Sequence, residues 1–226
     1  MKKYCPSCHT SDLQMYGYPD ARVSIAQCNK CGWSGSPWQL LKELPCQKVK
    51  LKYVSIDIET TGLDPDYCQV LELGAVIEDW VSPIANLPTF RHILKYDKLR
   101  GEAGGLAMNA KLLKQPATCL PENLGYEFSG WLQENGIDPK HVQAAGKNFA
   151  SFDAQFLKRV PGFSELVRFH HRTIDPCMLF WQNDDESLPD TKTCMKRAGI
   201  TGNVAHTAVE DALAVIKMIR FAWRNK

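Results

Sequence analysis

The chain has 226 residues, 44% apolar and 23% charged, which are ordinary globular proportions and exclude a wholly disordered chain. No apolar run approaches the roughly 20 residues of a membrane helix, and the opening Met1-Lys2-Lys3-Tyr4-Cys5 lacks the apolar stretch of a signal peptide, so a soluble, intracellular, cytoplasmic protein is expected. The net charge of +2 names no partner, but residues 1–50 carry +4 and residues 51–226 carry −2, which reads as a basic appendage on a near-neutral body.

Within the appendage, four of the chain's nine cysteines form two Cys-x-x-Cys pairs: Cys5 and Cys8, then Cys28 and Cys31 after a 19-residue gap. Each pair aims two sulfurs at one point, and two pairs complete a tetrahedron around Zn²⁺. Gly32 suits the tight turn after the second pair, and Arg22–Gln27 alternates as a strand that feeds it. A redox motif is the rival reading, but it needs one pair beside a βαβ unit. Residues 1–36 are therefore expected to be a zinc ribbon with one structural Zn²⁺, and residues 37–50 a linker. Four protein ligands leave no open position for catalysis at zinc. The ribbon is either a metal staple alone or also a docking module for nucleic acid or protein, with Tyr16, Tyr18, Arg22, Trp33 and Trp38 as contact candidates. The other five cysteines read as small hydrophobes.

From residue 51 the pattern changes. Leu51–Glu59 reads as a strand with Val54, Ile56 and Ile58 on one face and Asp57 and Glu59 together on the other. Two carboxylates near the end of an apolar strand are costly to bury without a partner, and a divalent metal is the natural one. Solvated charges at a strand end are the alternative. Gln69–Ile77 and Thr89–Leu94 read as further strands joined by hairpin-length connections. A Gly-rich irregular stretch follows, then a helix over Glu122–Asn135 ended by Gly136. His141–Gly146 reads as a short buried strand. Asp153 opens a helix over Ala154–Arg159, either as a cap or as a site residue. Phe169–Ile174 is the candidate for a fifth strand. In the last helix Thr207 and Glu210 form a capping box. Asp211 lies one turn in, with His206 just outside, so the two can face one cleft.

The segments Asp57-Ile-Glu-Thr-Thr-Gly62, Phe152-Asp153 and His206-x-Ala-x-x-Asp211 resemble, in order, the three motifs of the DEDDh 3′–5′ exonucleases, the DnaQ-like branch of the RNase H-like fold. The resemblance spans about residues 52–222. It implies an α/β fold: a mixed five-stranded sheet flanked by helices over residues 51–226, plus the small N-terminal zinc ribbon. It also implies a metal-dependent 3′–5′ exonuclease that releases 5′-mononucleotides from single-stranded 3′ ends with two Mg²⁺ or Mn²⁺ ions, held about 3.5–4 Å apart in such sites. By resemblance Asp57 bridges both ions, Glu59 and Asp211 complete the nucleophile-side ion, Asp153 holds the other, and His206 is the general base. Thr60, Thr61 and Leu63 are candidate contacts to the terminal sugar and base, and Asn148 and Phe149 to a nucleotide.

Single-stranded DNA is favoured over RNA as the partner, because a separate zinc module suits a longer strand. The alternative is a catalytically silent recruitment protein that uses the ribbon. Complete retention of the four carboxylates and the histidine favours the enzyme. Weaker candidates are Met108-Asn109, the cluster Arg168, His170, His171 and Arg172, the pair Lys196-Arg197, and a stripe of Lys217, Arg220 and Arg224 that tracks phosphate or serves the helix dipole. Asp184-Asp185-Glu186 reads as a solvated run.

Overall fold

A computed structural model of the chain describes Cys5, Ser7 and residues 11–16, 25–35, 51–200 and 207–224. The chain divides into two compact units, Met1–Lys50 and Leu51–Lys226. In the first, strands β1 (Leu13–Tyr16), β2 (Ile25–Cys28) and β3 (Ser34–Gly35) form an antiparallel sheet in that order. Of the strand expected at Arg22–Gln27, residues 22–24 lie outside the described residues, and β2 takes in Ile25 to Gln27 and ends on a zinc-candidate cysteine, Cys28. Gly32 turns the chain there at φ +73, and its N–H donates to the Cys28 carbonyl at 2.9 Å.

The second unit is built on a four-stranded mixed sheet in the order β6-β5-β4-β7. Strands β4 (Tyr53–Thr60), β5 (Val70–Glu78) and β6 (Thr89–Ile93) are antiparallel, and β7 (Ala144–Ala145) runs parallel to β4. The expected fifth strand is broken. Phe169 and Ile174 each form an isolated parallel bridge, to Val142 and Ala145, and the residues between them do not pair. A sheet edge made of two bridges replaces the regular strand.

Strand alternation sorts the core into two layers. Val54, Ile56 and Ile58 pack with Leu124, Phe128 and Leu132 of helix α2 (Pro121–Glu134). Tyr53 and Val76 pack on the other face with Ala212, Val215, Ile216 and Ile219 of the last helix. Among the described residues, no helix is long and apolar enough to cross a membrane.

The intervening helices are short: α1 (Ala103–Met108), α3 (Asp153–Leu157), α4 (Phe163–Leu166), α5 (Pro176–Phe180) and α6 (Thr191–Arg197). Helix α1 forms in a Gly-rich stretch of poor intrinsic propensity. Tertiary contact explains it. A Cβ at Gly105 would lie 2.4 Å from the Thr61 backbone, and one at Gly101 would lie 2.3 Å from the Thr61 side chain. The last helix, α7 (Ala208–Arg224), starts at the expected capping residue. The Glu210 N–H donates to Thr207 Oγ1 at 3.4 Å, and the Thr207 hydroxyl donates to Glu210 Oε2 at 2.6 Å.

Strand β5 is buried along its whole length, Glu72 and Glu78 included. Along its α7-facing side, Glu72 accepts the Ala208 N–H at 3.2 Å, and Glu78 accepts Arg220 Nη2 at 2.7 Å through Oε1. The 12 residues from Ala208 to Arg220 rise about 18 Å in a helix, and the six from Glu72 to Glu78 about 20 Å in a strand, so the helix lies along β5 with a glutamate at each end. Arg91 neutralises Glu72 from β6. Arg220 is thus an internal ion-pair partner rather than part of a phosphate-tracking stripe. Asp185 likewise leaves the expected solvated run: both its carboxylate oxygens accept from Arg197, at 2.6 Å each.

Candidate active site

Asp57 and Glu59 project from the C-terminal half of β4 towards the α7 face, as alternation requires. A register shift follows between Glu59 and Thr60, where β5 carries one extra residue, Leu71, before pairing resumes at Thr60 and Val70. Asp211 reaches the same place from the first turn of α7. Carboxylate oxygens of Asp57, Glu59 and Asp211 lie within 4.8 Å of one another.

Asp153 comes from a different element. It is the first residue of α3, where its own backbone N–H favours the charged carboxylate. Its Oδ1 also accepts the backbone N–H of Ile58, between the two β4 carboxylates, at 3.1 Å. The side chain is buried, with 3% of its surface exposed. That hydrogen bond tethers the start of α3 to β4 beside Asp57 and Glu59.

These side chains line one cleft of about 440 Å³, together with Ile58, Lys147, Asn148, Ser151 and Phe152. Electrostatically the cleft is strained. Burial, then the charges of Asp153, Asp211 and Glu59, hold the Asp57 carboxyl well above the ordinary aspartate range. Burial pushes Asp153 up to about 7, although N–H groups and Lys147 favour its charged form. A cluster that resists ionisation for want of cations is the donor set a hard divalent cation relieves.

The other candidates distribute unevenly. Asn148 lines the cleft, in a left-handed conformation at φ +51. Phe149 does not. It is 1% exposed and packs edge-on against Phe169 at 4.9 Å, so it is a core residue rather than a stacking platform. Phe152 is the aromatic that reaches the cleft. Thr60, Thr61 and Leu63 lie outside its lining. The hydroxyl of Thr60 donates to the Gly62 carbonyl and that of Thr61 to the Arg100 carbonyl, each at 2.6 Å. Leu63 is 74% exposed, held by its N–H on Glu102 Oε2 at 3.1 Å. Asn109 is buried and donates to the Thr60 carbonyl at 3.0 Å, a packing role. His206 lies outside the described residues.

In the first unit the sulfurs of Cys5, Cys28 and Cys31 lie within 4.8 Å of one another. Cys8 lies outside the described residues.

Sequence reading missed Gly74. It pairs with Asp57 across the β4–β5 ladder, and a Cβ there would lie 2.4 Å from the backbone of Ala208 and Val209. The helix that carries Asp211 therefore touches the strand backbone opposite Asp57. A lone glycine inside an apolar strand was the available signal. Lys147 was also passed over, because its place in the cleft depends on the fold.

No family model and no curated protein matches the sequence. The fold is similar to solved Exonuclease I structures. Escherichia coli Exonuclease I in complex with a dT13 oligonucleotide matches with a TM-score of 0.54 at 16% identity, over 75% of this chain and 40% of that one. The zinc-bound form of the E. coli enzyme with single-stranded DNA gives 0.55 at 16% identity, over 77% and 41%. The moderately thermophilic Exonuclease I from Methylocaldum szegediense gives 0.51 at 15% identity, over 77% and 40%. The aligned region spans about two fifths of those chains.

Proposed function

We propose that residues 51–226 form a divalent-metal-dependent 3′–5′ exonuclease that releases 5′-mononucleotides from single-stranded 3′ ends, with DNA preferred to RNA. The observation that carries this reading is the convergence of Asp57, Glu59, Asp153 and Asp211 on one cleft. Similarity to the Exonuclease I fold supports it.

The lining supplies hard oxygen donors and, among the described residues, neither thiolate nor imidazole, which suits Mg²⁺ or Mn²⁺. Asp57, Glu59 and Asp211 would hold one ion, and Asp57 with Asp153 a second. Such ions supply Lewis-acid stabilisation of the phosphate and lower the pKa of an attacking water. His206 would take the proton from the attacking water, a task suited to a histidine side chain. The Ile58 N–H would help to orient buried Asp153 towards that second ion. Asn148 contacts the substrate beside it. Exposed Leu63 would press against the terminal base from beside the cleft, and Thr60 and Thr61 would shape the loop that carries it.

Product analysis tests the reaction class. Linear single-stranded DNA should yield 5′-mononucleotides with Mg²⁺ or Mn²⁺ and nothing with EDTA, and circular single strands should stay intact. Cleavage of the circle would contradict an exonuclease.

We further propose that residues 1–36 are a ribbon with one structural Zn²⁺ on Cys5, Cys8, Cys28 and Cys31, joined by a 37–50 linker. The supporting distance is 3.7 Å between the sulfurs of Cys5 and Cys31. A tetrahedron with Zn–S bonds of about 2.3 Å has edges of about 3.8 Å.

A further inference from the structure

The cleft lining contains four carboxylates and, among the described residues, a single cation, Lys147. Its backbone is tightly fixed. On one side, a Cβ at Gly146 would lie 2.7 Å from the Ile56 carbonyl, so the chain runs against β4 one residue before Asp57. On the other, Asn148 is left-handed, and its N–H donates to Asp175 Oδ2 at 2.9 Å. The Asn148 carbonyl accepts the N–H groups of Ser151 and Phe152 at 3.0 and 2.9 Å. Asp175 is itself locked as the cap of α5 through the Cys177 N–H.

The ammonium is close enough to favour the charged forms of Asp57, Asp153 and, from the start of α6, Asp190. Yet no described carboxylate comes within ion-pair distance of it. A half-buried lysine of purely structural purpose would be expected to close on one of these acids. Lys147 instead stands off, held in a cleft whose fixed charge repels a polyanion.

Resting on the exonuclease reading above, we propose that Lys147 is a substrate-binding residue whose ammonium contacts a non-bridging phosphate oxygen of the strand seated over the carboxylates. The four carboxylates serve the ions, and the ions serve the scissile phosphate. Lys147 supplies a protein cation for backbone charge that the ions do not neutralise. Lysine suits this as a compact point charge on a flexible stem. Because the contact is to phosphate, it carries no base preference.

The test is binding rather than turnover. Fluorescence anisotropy of a 3′-ended oligothymidylate is followed across a salt series, with Ca²⁺ replacing Mg²⁺, for wild type, Lys147→Gln and Lys147→Arg. Removing one phosphate contact on a single strand lowers the slope of log K against log salt by about 0.7. The expected result is that reduced slope, with binding about 3–10-fold weaker, in Lys147→Gln, and a wild-type slope in Lys147→Arg. An unchanged slope in Lys147→Gln, with wild type binding and degrading DNA, overturns the inference alone. Wild type that neither binds nor degrades DNA overturns both the inference and the exonuclease reading. A circular dichroism spectrum identical to wild type confirms that Lys147→Gln is folded.

Discussion

Gly74 and Asp57 face each other across the central ladder, and the first turn of α7 rests directly on Gly74. The strand partner of one carboxylate is thereby the seat of the helix that carries another. Spacing between Asp57 and Asp211 is set by the missing Cβ.

Gly74→Ala should therefore separate the two. The added Cβ would meet backbone at 2.4 Å, which cannot rotate away as a side-chain tip can. We expect a stability loss of about 1–3 kcal/mol, together with weaker metal binding and a large fall in metal-dependent cleavage. Urea unfolding and a Mn²⁺ titration measure the two effects. Wild-type cleavage by Gly74→Ala would mean that the helix seat does not control the site.

The far end of the same helix gives a contrasting prediction. Glu78 is fully buried and its charge is met by Arg220, itself mostly buried. Arg220→Ala strands that carboxylate and should cost about 3–5 kcal/mol. Affinity of the folded protein for single-stranded DNA should be unchanged. Urea unfolding shows the first effect and anisotropy the second. Weakened DNA binding with unchanged stability would return Arg220 to the surface stripe.

Metal and pH are linked through the raised carboxyls. Asp153 is pushed up to about 7 and Asp57 is also raised, so the folded metal-free chain holds protons that the unfolded chain releases near pH 4. Between those values the native state binds more protons, and stability falls as pH rises. Thermal melts of metal-free protein should show that fall between about pH 4 and 7. Mg²⁺ should restore the melting temperature most at the upper end, and Asp153→Asn should flatten the metal-free profile. A metal-free melting temperature that rises through this window would contradict the assignment.

For the N-terminal unit, elemental analysis should find about one Zn²⁺ per chain, lost in Cys31→Ser. Protein purified without zinc that nonetheless shows a cooperative melt of residues 1–50 would refute the ribbon.

Much of the site was legible because its signals are local. Alternation alone put Asp57 and Glu59 on one face, and the Thr207–Glu210 pair marked where α7 begins. Asp153 was ambiguous, since any aspartate at a helix start can be a cap. Its contact with the Ile58 N–H emerges only in the fold. Gly74, Glu72 and Glu78 escaped notice because their meaning depends on register with β4 and on a helix more than 100 residues later. The fifth strand reads as continuous in sequence because its two bridging residues, Phe169 and Ile174, are apolar, yet the chain between them forms no bridge to the sheet. Phe149 and Arg220 show the same limit from the other side. An aromatic beside a motif and an arginine on a helix surface look available in sequence, and tertiary packing consumes both.

The most direct measurement is strand polarity. Matched 5′- and 3′-labelled single-stranded DNA and RNA are incubated with wild type and Asp211→Asn, in Mg²⁺, Mn²⁺ or EDTA. The account predicts a descending ladder from the 5′-labelled strand and immediate release of the 3′ label. DNA should be cut faster than RNA, and all cleavage should be lost with EDTA and in Asp211→Asn. Loss of the 5′ label first, or undiminished cleavage by Asp211→Asn, would contradict it.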